Sequence, residues 1–164
     1  MYFDRTRQEL NSIWEQRLSQ VTVQTNNRND KEKFYGALYR ASFLPRTFND
    51  VDGRYPSFST GHPFRQSANG RNYYEDYSMW DTYRALHPLI NILTPKKAGD
   101  MMQSLVDKYE QGGWLPIFPC WNSYTAAMIG DHCISALGDA YIKGIRNFDI
   151  NKACEGMLRN AFKT

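Results

Sequence analysis

Residues 77–88 read Tyr77-Ser78-Met79-Trp80-Asp81-Thr82-Tyr83-Arg84-Ala85-Leu86-His87-Pro88. Ahead of them lies a passage rich in Gly, Asn and Tyr, with strand and turn character. After them Leu86, Leu89, Ile90 and Leu93 recur at three- and four-residue intervals, the period of a helix. Trp80 and Asp81 therefore stand where a loop enters a helix. An Asp at that place can cap the first backbone N–H groups, or it can face a cleft and accept hydrogen bonds from a ligand. A neighbouring Trp is either a core residue or a flat apolar face on which a ring can stack. Both readings are open on spacing alone.

Other blocks carry a wider pattern: Asn49-Asp50-Val51-Asp52-Gly53-Arg54-Tyr55, Gly112-Gly113-Trp114-Leu115-Pro116, Met128-Ile129-Gly130-Asp131-His132 and Asp139-Ala140-Tyr141-Ile142-Lys143-Gly144-Ile145. With residues 77–88 these blocks, in this order, resemble glycoside hydrolase family 92, the calcium-dependent exo-acting α-mannosidases. The resemblance runs over most of the chain from Phe34 onward. It implies a fold that is mainly α, with helical hairpins forming about half of an (α/α)6 toroid. The domain division it suggests is a partial catalytic domain over 1–164 with an irregular insertion at 46–79.

The composition agrees with a globular domain: 164 residues, 41% hydrophobic. A net charge of +3, from 20 basic and 17 acidic residues, is too balanced to point to nucleic acid or a membrane surface. Aromatics reach 15%, which suits a carbohydrate cleft as well as an aromatic core. No apolar run is long enough to span a membrane, and residues 1–9 do not read as a signal peptide. Periplasmic or secreted placement is implied by the resemblance alone. Cys120, Cys133 and Cys154 fit no zinc spacing and read as buried small apolar residues, with at most one disulfide among them.

A first helix is expected over Thr6–Gln20, with Leu10, Ile13, Trp14 and Leu18 on one face. Asp30 is expected to cap a second helix, closed by Pro45, so that residues 4–45 form a helical hairpin. Between Arg46 and Ser78 the helical period is lost, and a small β-hairpin around Tyr55, Phe58 and Tyr73–Tyr77 is permitted. A third helix, Trp80–Leu93, should kink at Pro88. Thr94-Pro95 reads as an N-cap and first helical residue, and Gly112-Gly113 ends that fourth helix. Residues 114–121 read as a loop, Thr125–Lys143 as a fifth helix, and Asp149 as the cap of a sixth. Six helices in three hairpins, the last still in phase at Lys163-Thr164, suggest an internal piece of a larger enzyme. A complete small helical domain is the alternative.

Glycosidases mostly use two carboxylates, held roughly 6.5–9.5 Å apart when the enzyme inverts. The resembled family is inverting, with its acid in a Glu-X-Asn-Ala-Trp-type segment and its base in a Gly-Asn-Asp-type segment. Neither occurs here, so no catalytic residue is assigned in this chain. The resemblance does imply a sugar pocket that includes Trp80 and Asp81. Arg84, one turn beyond Asp81, would orient its carboxylate or form a solvated surface pair. Asp131 is the second candidate for substrate binding; His132 and His87 read as packed histidines, and His62 as an exposed one. Asp50-Val51-Asp52-Gly53 has the look of a calcium loop, but position twelve is Gly61, so a turn is the better reading. The resemblance implies calcium in the full-length enzyme, with no ligand matched to this chain and none expected to be held by it alone.

The function expected is removal of terminal α-linked mannose from glycans, with α-mannosides and the remainder of the parent chain as partners. The isolated piece should be inactive and self-associating. The rivals are a non-catalytic carbohydrate-binding or scaffold domain, and a different helical-toroid sugar enzyme such as a lyase or phosphorylase.

Overall fold

The computed structural model describes residues 2–163. The chain divides into two compact units, Met1–Phe43 and Leu44–Thr164.

The first unit is a pair of helices, α1 (Tyr2–Leu18) and α2 (Arg28–Arg40). Aromatic rings join them: Trp14 meets Tyr39 at 4.5 Å between centroids, and Phe43 closes on Tyr39 at 4.7 Å. The Tyr35 hydroxyl donates to the Val21 carbonyl, tying the connecting segment to α2. α1 begins earlier than its apolar periodicity suggests. Asn27, not Asp30, caps α2: its side chain accepts the Asn29 N–H at 3.0 Å, and Asp30 lies within the first turn. Neither helix buries a residue fully, and Leu10 and Ile13 remain exposed.

The second unit is built around the longest helix, α5 (Pro95–Gly112). Its Ala98, Met101, Met102, Leu105, Val106 and Tyr109 are buried. They pack against α4 (Leu86–Leu93), α6 (His132–Ile142) and α7 (Ile150–Phe162). Four polar residues of α5, Asp100, Gln103, Ser104 and Lys108, are enclosed with them, each with a partner. Ser104 Oγ accepts the Tyr74 N–H at 2.9 Å, and Gln103 Oε1 accepts the Asp149 N–H at 2.7 Å. Buried polar groups are tolerated on those terms. Gly113, at φ 88°, ends the helix and returns its N–H to the Tyr109 carbonyl, a left-handed cap that glycine adopts without strain.

The third expected helix is two. A single turn, α3 (Met79–Thr82), is followed by a break at Ala85 (φ −138°, ψ −52°), and α4 then starts afresh. Pro88 consequently does not kink a long helix. It falls in the first turn of α4, where a backbone N–H has no intrahelical acceptor to lose. Pro95 does open α5, but the Thr94 hydroxyl bonds back to the Ile90 carbonyl rather than capping forward. The fifth expected helix is shorter than its apolar pattern. Ala126, Met128 and Gly130 have φ of 50°, 62° and 85°, so residues 125–131 form a loop and α6 begins at His132. Asp149 caps α7 as expected, accepting the Lys152 N–H at 2.9 Å.

Three antiparallel strand pairs complete the unit. β1 (Arg46–Thr47) pairs with β4 (Tyr74–Glu75), β2 (Arg54–Pro56) with β3 (Phe64–Gln66), and β5 (Pro119–Cys120) with β6 (Ser123–Tyr124). Tyr55 and Tyr74 thus lie in different pairs; the Tyr55 ring stacks instead on Tyr73, the neighbour of Tyr74, at 3.9 Å. The β5–β6 hairpin overlaps the loop expected over residues 114–121, where Pro116 and Pro119 concealed it. The cysteines are free: Cys133 is buried, Cys120 half-buried, and Cys154 exposed, contrary to its reading as a buried residue.

Candidate sugar-binding site

α3 is held at its start by the Ser78 carbonyl, which accepts the N–H groups of Asp81 and Thr82, each at 3.0 Å. That turn projects Trp80 and Asp81 outward. Trp80 is 39% exposed, so it is not a core residue. Asp81 Oδ2 accepts the Ser78 hydroxyl at 2.6 Å. That is a side-chain bond within the turn rather than a cap on a helical N–H. An ionised carboxylate has about four acceptor positions, so most of the capacity of Asp81 faces solvent.

Arg84 does not orient that carboxylate. Its guanidinium donates to the Trp80 carbonyl at 2.9 Å and lies over the indole, 4.8 Å from the ring centroid. Stacking on an aromatic face suits a planar guanidinium, and the short α3 turn brings Arg84 onto Trp80 rather than onto Asp81. One face of the indole is therefore covered by a cation.

Asp131 stands at the entry to α6 without capping it. It is half-buried, and its carboxylate is 3.4 Å from the Asn160 side-chain nitrogen. Burial pushes its pKa up, while the Asn160 hydrogen bond and His132 pull it down. Asp131 and Asn160 share a cavity of about 370 Å³ with Trp114, Ile117, Phe118 and Tyr124. Asn160 also clamps Leu115, accepting its N–H at 3.1 Å and donating to its carbonyl at 2.9 Å. Nothing in local sequence pattern marks Asn160, because its partner is 45 residues away.

No hydrogen bond or ion pair among the described residues joins Asp131 to Trp80, Asp81 or Arg84. The two regions are linked one residue to the side. Tyr83 and His132 stack face to face, with centroids 4.1 Å apart and planes 7° from parallel. His87 is a packed histidine, 1% exposed beneath Tyr77, and His62 sits in a turn at φ 48°. Its Nδ1 lies 3.0 Å from the Ser57 carbonyl.

Asp50–Gly53 is a turn. The Gly53 N–H donates to the Asp50 carbonyl, and both Asp52 oxygens are engaged by Arg54. The Arg54 contacts hold the Asp52 carboxyl below its usual range. More broadly, no three His, Cys, Asp or Glu side chains converge among the described residues.

The similarity to known proteins covers the whole of this arrangement. Residues 1–164 match the glycosyl hydrolase family 92 catalytic domain. The chain belongs to family 92. Among solved structures it is similar to the GH92 alpha-mannosidase BT3965 from Bacteroides thetaiotaomicron, at 32% identity and a TM-score of 0.91, over 99% of this chain and 22% of that one. The same enzyme in complex with mannoimidazole aligns at 33% identity and a TM-score of 0.91, over 98% of this chain and 21% of that one. The GH92 inverting mannosidase BT2199 from Bacteroides thetaiotaomicron VPI-5482 aligns at 29% identity and a TM-score of 0.82, over 92% and 20%. No curated protein matches. The chain spans about a fifth of the length of these solved relatives. Its mainly α fold with small strand pairs is that of the family's (α/α)6 toroid enzymes.

Proposed function

We propose that this family 92 chain is part of the catalytic domain of an exo-acting α-mannosidase that releases terminal α-linked mannose with inversion. The observation that carries the reading is the exposed Trp80-Asp81 pair on α3, in a chain 32% identical to a GH92 alpha-mannosidase over nearly its full length. The indole offers an apolar ring face, and the Asp81 carboxylate accepts hydroxyl donors beside it. An exo-acting pocket must recognise several hydroxyls of one terminal sugar, and a carboxylate can accept two of them. Asp131 supplies a second acceptor in the neighbouring cavity. Arg84 acts through the indole that it covers.

The general acid and base belong to other segments of the parent enzyme, which uses calcium that this chain alone is not expected to hold. Enzymes of this kind work on glycans in the periplasm or outside the cell, which we propose for the parent. Among the described residues no helix is long and apolar enough to cross a membrane. The test is hydrolysis of an aryl α-mannoside by the parent enzyme, followed by NMR of the first-formed sugar. The expected product is β-mannose. α-Mannose as first product would overturn the inverting mechanism, and inertness toward every α-mannoside would overturn the assignment.

A further inference from the structure

α3 is a single turn of 4 residues, and a helix that short has too few internal hydrogen bonds to hold itself. Its start is anchored by Met79, which is fully buried. Its end does not run on into α4, because the chain breaks at Ala85. Tyr83, the residue that closes the turn, instead lays its ring on His132, the first residue of α6. The orientation of the exposed Trp80-Asp81 pair therefore depends on contacts made outside the turn.

The His132 imidazole is closely confined. Tyr83 covers it at 4.1 Å between centroids, with the two planes 7° apart. A Cβ at residue 130 would come within 2.6 Å of His132 Nε2 and 2.9 Å of its Cε1, so the ring lies directly on the Gly130 backbone. Gly130 is also at φ 85°, so conformation and space both call for glycine there. Among the described residues neither ring nitrogen of His132 makes a hydrogen bond, and the imidazole is held by packing. The contacts continue outward from Tyr83. The Arg84 guanidinium lies 5.5 Å from the Tyr83 centroid and 4.8 Å from that of Trp80, within cation–π reach of both. His132, Tyr83, Arg84 and Trp80 thus form one run of contacts from the entry of α6 to the exposed indole.

We propose that His132 is a positioning residue of the parent enzyme: its ring backs Tyr83 and Arg84, and so holds the α3 turn in the orientation that presents Trp80 and Asp81 to the terminal sugar. The inference rests on the mannosidase reading. The position asks for a flat ring, since stacked aromatic pairs have a preferred geometry. An aliphatic side chain would fill the space without fixing the angle of the Tyr83 plane. A turn set before the sugar arrives loses little freedom on binding, and a small misplacement of a binding group is costly in rate.

The experiment measures kcat/KM of the full parent enzyme on an aryl α-mannoside. His132→Leu keeps apolar bulk and loses the flat ring; His132→Phe keeps a ring and loses the nitrogens. His132→Leu should lower kcat/KM by about tenfold or more, and His132→Phe should restore most of it. Combined with Asp81→Ala, His132→Leu should cost only about threefold or less, because residues that act as a unit are not additive. Combined with Asp131→Ala, the two losses should multiply. Tyr83→Leu removes the other half of the stack; it should give the same pattern and serves where His132→Leu does not fold. A loss that persists in full beside Asp81→Ala, or that vanishes beside Asp131→Ala instead, would overturn the proposal. So would a His132→Phe variant as impaired as His132→Leu, or no loss in His132→Leu. Failure of the native enzyme to cleave any α-mannoside is a separate result, and it would remove the mannosidase reading itself.

Discussion

Lys108 Nζ and Glu75 Oε2 lie 2.7 Å apart, and neither side chain is exposed to solvent. The ammonium also donates to the Tyr74 carbonyl at 2.7 Å and sits 4.0 Å from the centre of the Tyr73 ring. Burial lowers the pKa of Lys108, and Glu75 pulls it back up. The pair ties α5 to β4, and through the Glu75 bond to Asn122 it reaches the β5–β6 turn.

Removing one partner of such a pair leaves a buried charge without compensation, at a cost of about 3–5 kcal/mol. Lys108→Met should therefore depress the thermal midpoint of the parent enzyme sharply. Adding Glu75→Gln should recover a substantial part by deleting the orphaned charge. A double variant no more stable than Lys108→Met alone would mean that the ammonium matters through Tyr74 and the aromatic rings rather than through Glu75.

Asp81→Ala should damage catalysis without unfolding the parent enzyme. Loss of hydroxyl contacts that tighten in the transition state should lower kcat/KM on aryl α-mannosides at least tenfold, about 1.4 kcal/mol. The Asp81 carboxylate accepts the Ser78 hydroxyl, so the ~1 kcal/mol penalty of a lost helix cap should be absent. Unchanged kinetics with reduced stability on the same variant would remove Asp81 from the pocket.

His87 makes stability depend on pH. It is 1% exposed, and burial brings its pKa down to about 4, partly opposed by Asp139. An unfolded imidazole takes up its proton near 6.5. Between these values the unfolded chain binds more protons than the folded one. The contribution is thus complete above about pH 6.5 and is lost as the pH falls toward about 4, at up to about 1.4 kcal/mol per pH unit. His87→Gln should flatten the pH dependence of the melting temperature in that window relative to the native protein. Parallel curves for the two proteins would contradict the buried neutral state.

The 164-residue chain by itself should show no mannosidase activity. Protonating the leaving oxygen and activating water require two placed carboxylates, and the family segments that supply them are missing here. The check is chromophore release from an aryl α-mannoside, with calcium present, by highly purified chain. Turnover that disappears in Asp81→Ala would place catalytic groups within these residues. Self-association is expected alongside, because Ile142, Leu158 and Phe162 are 60% or more exposed, and large apolar patches drive association. A strictly monomeric species in sedimentation at high concentration would oppose that.

The family and the helical class were legible in the sequence, since motif blocks and apolar periodicity are local properties. The α5 core, the Asp149 cap and the Gly113 stop followed from residue type and spacing alone. Helix limits did not. The division of α3 from α4 depends on the backbone at Ala85, and the late start of α6 depends on left-handed residues at 126, 128 and 130. Neither conformation leaves a mark in hydrophobic pattern. Trp80 and Asp81 were visible as candidates, but the seating of Arg84 on the indole, the Asn160 clamp and the Tyr83–His132 stack were decided by packing. So was the bond from the Trp121 N–H to Asp76, 45 residues back in the chain. Sequence period records which face of an element is apolar; only the tertiary structure determines which distant polar groups meet, because each such bond depends on where two separate elements come to rest.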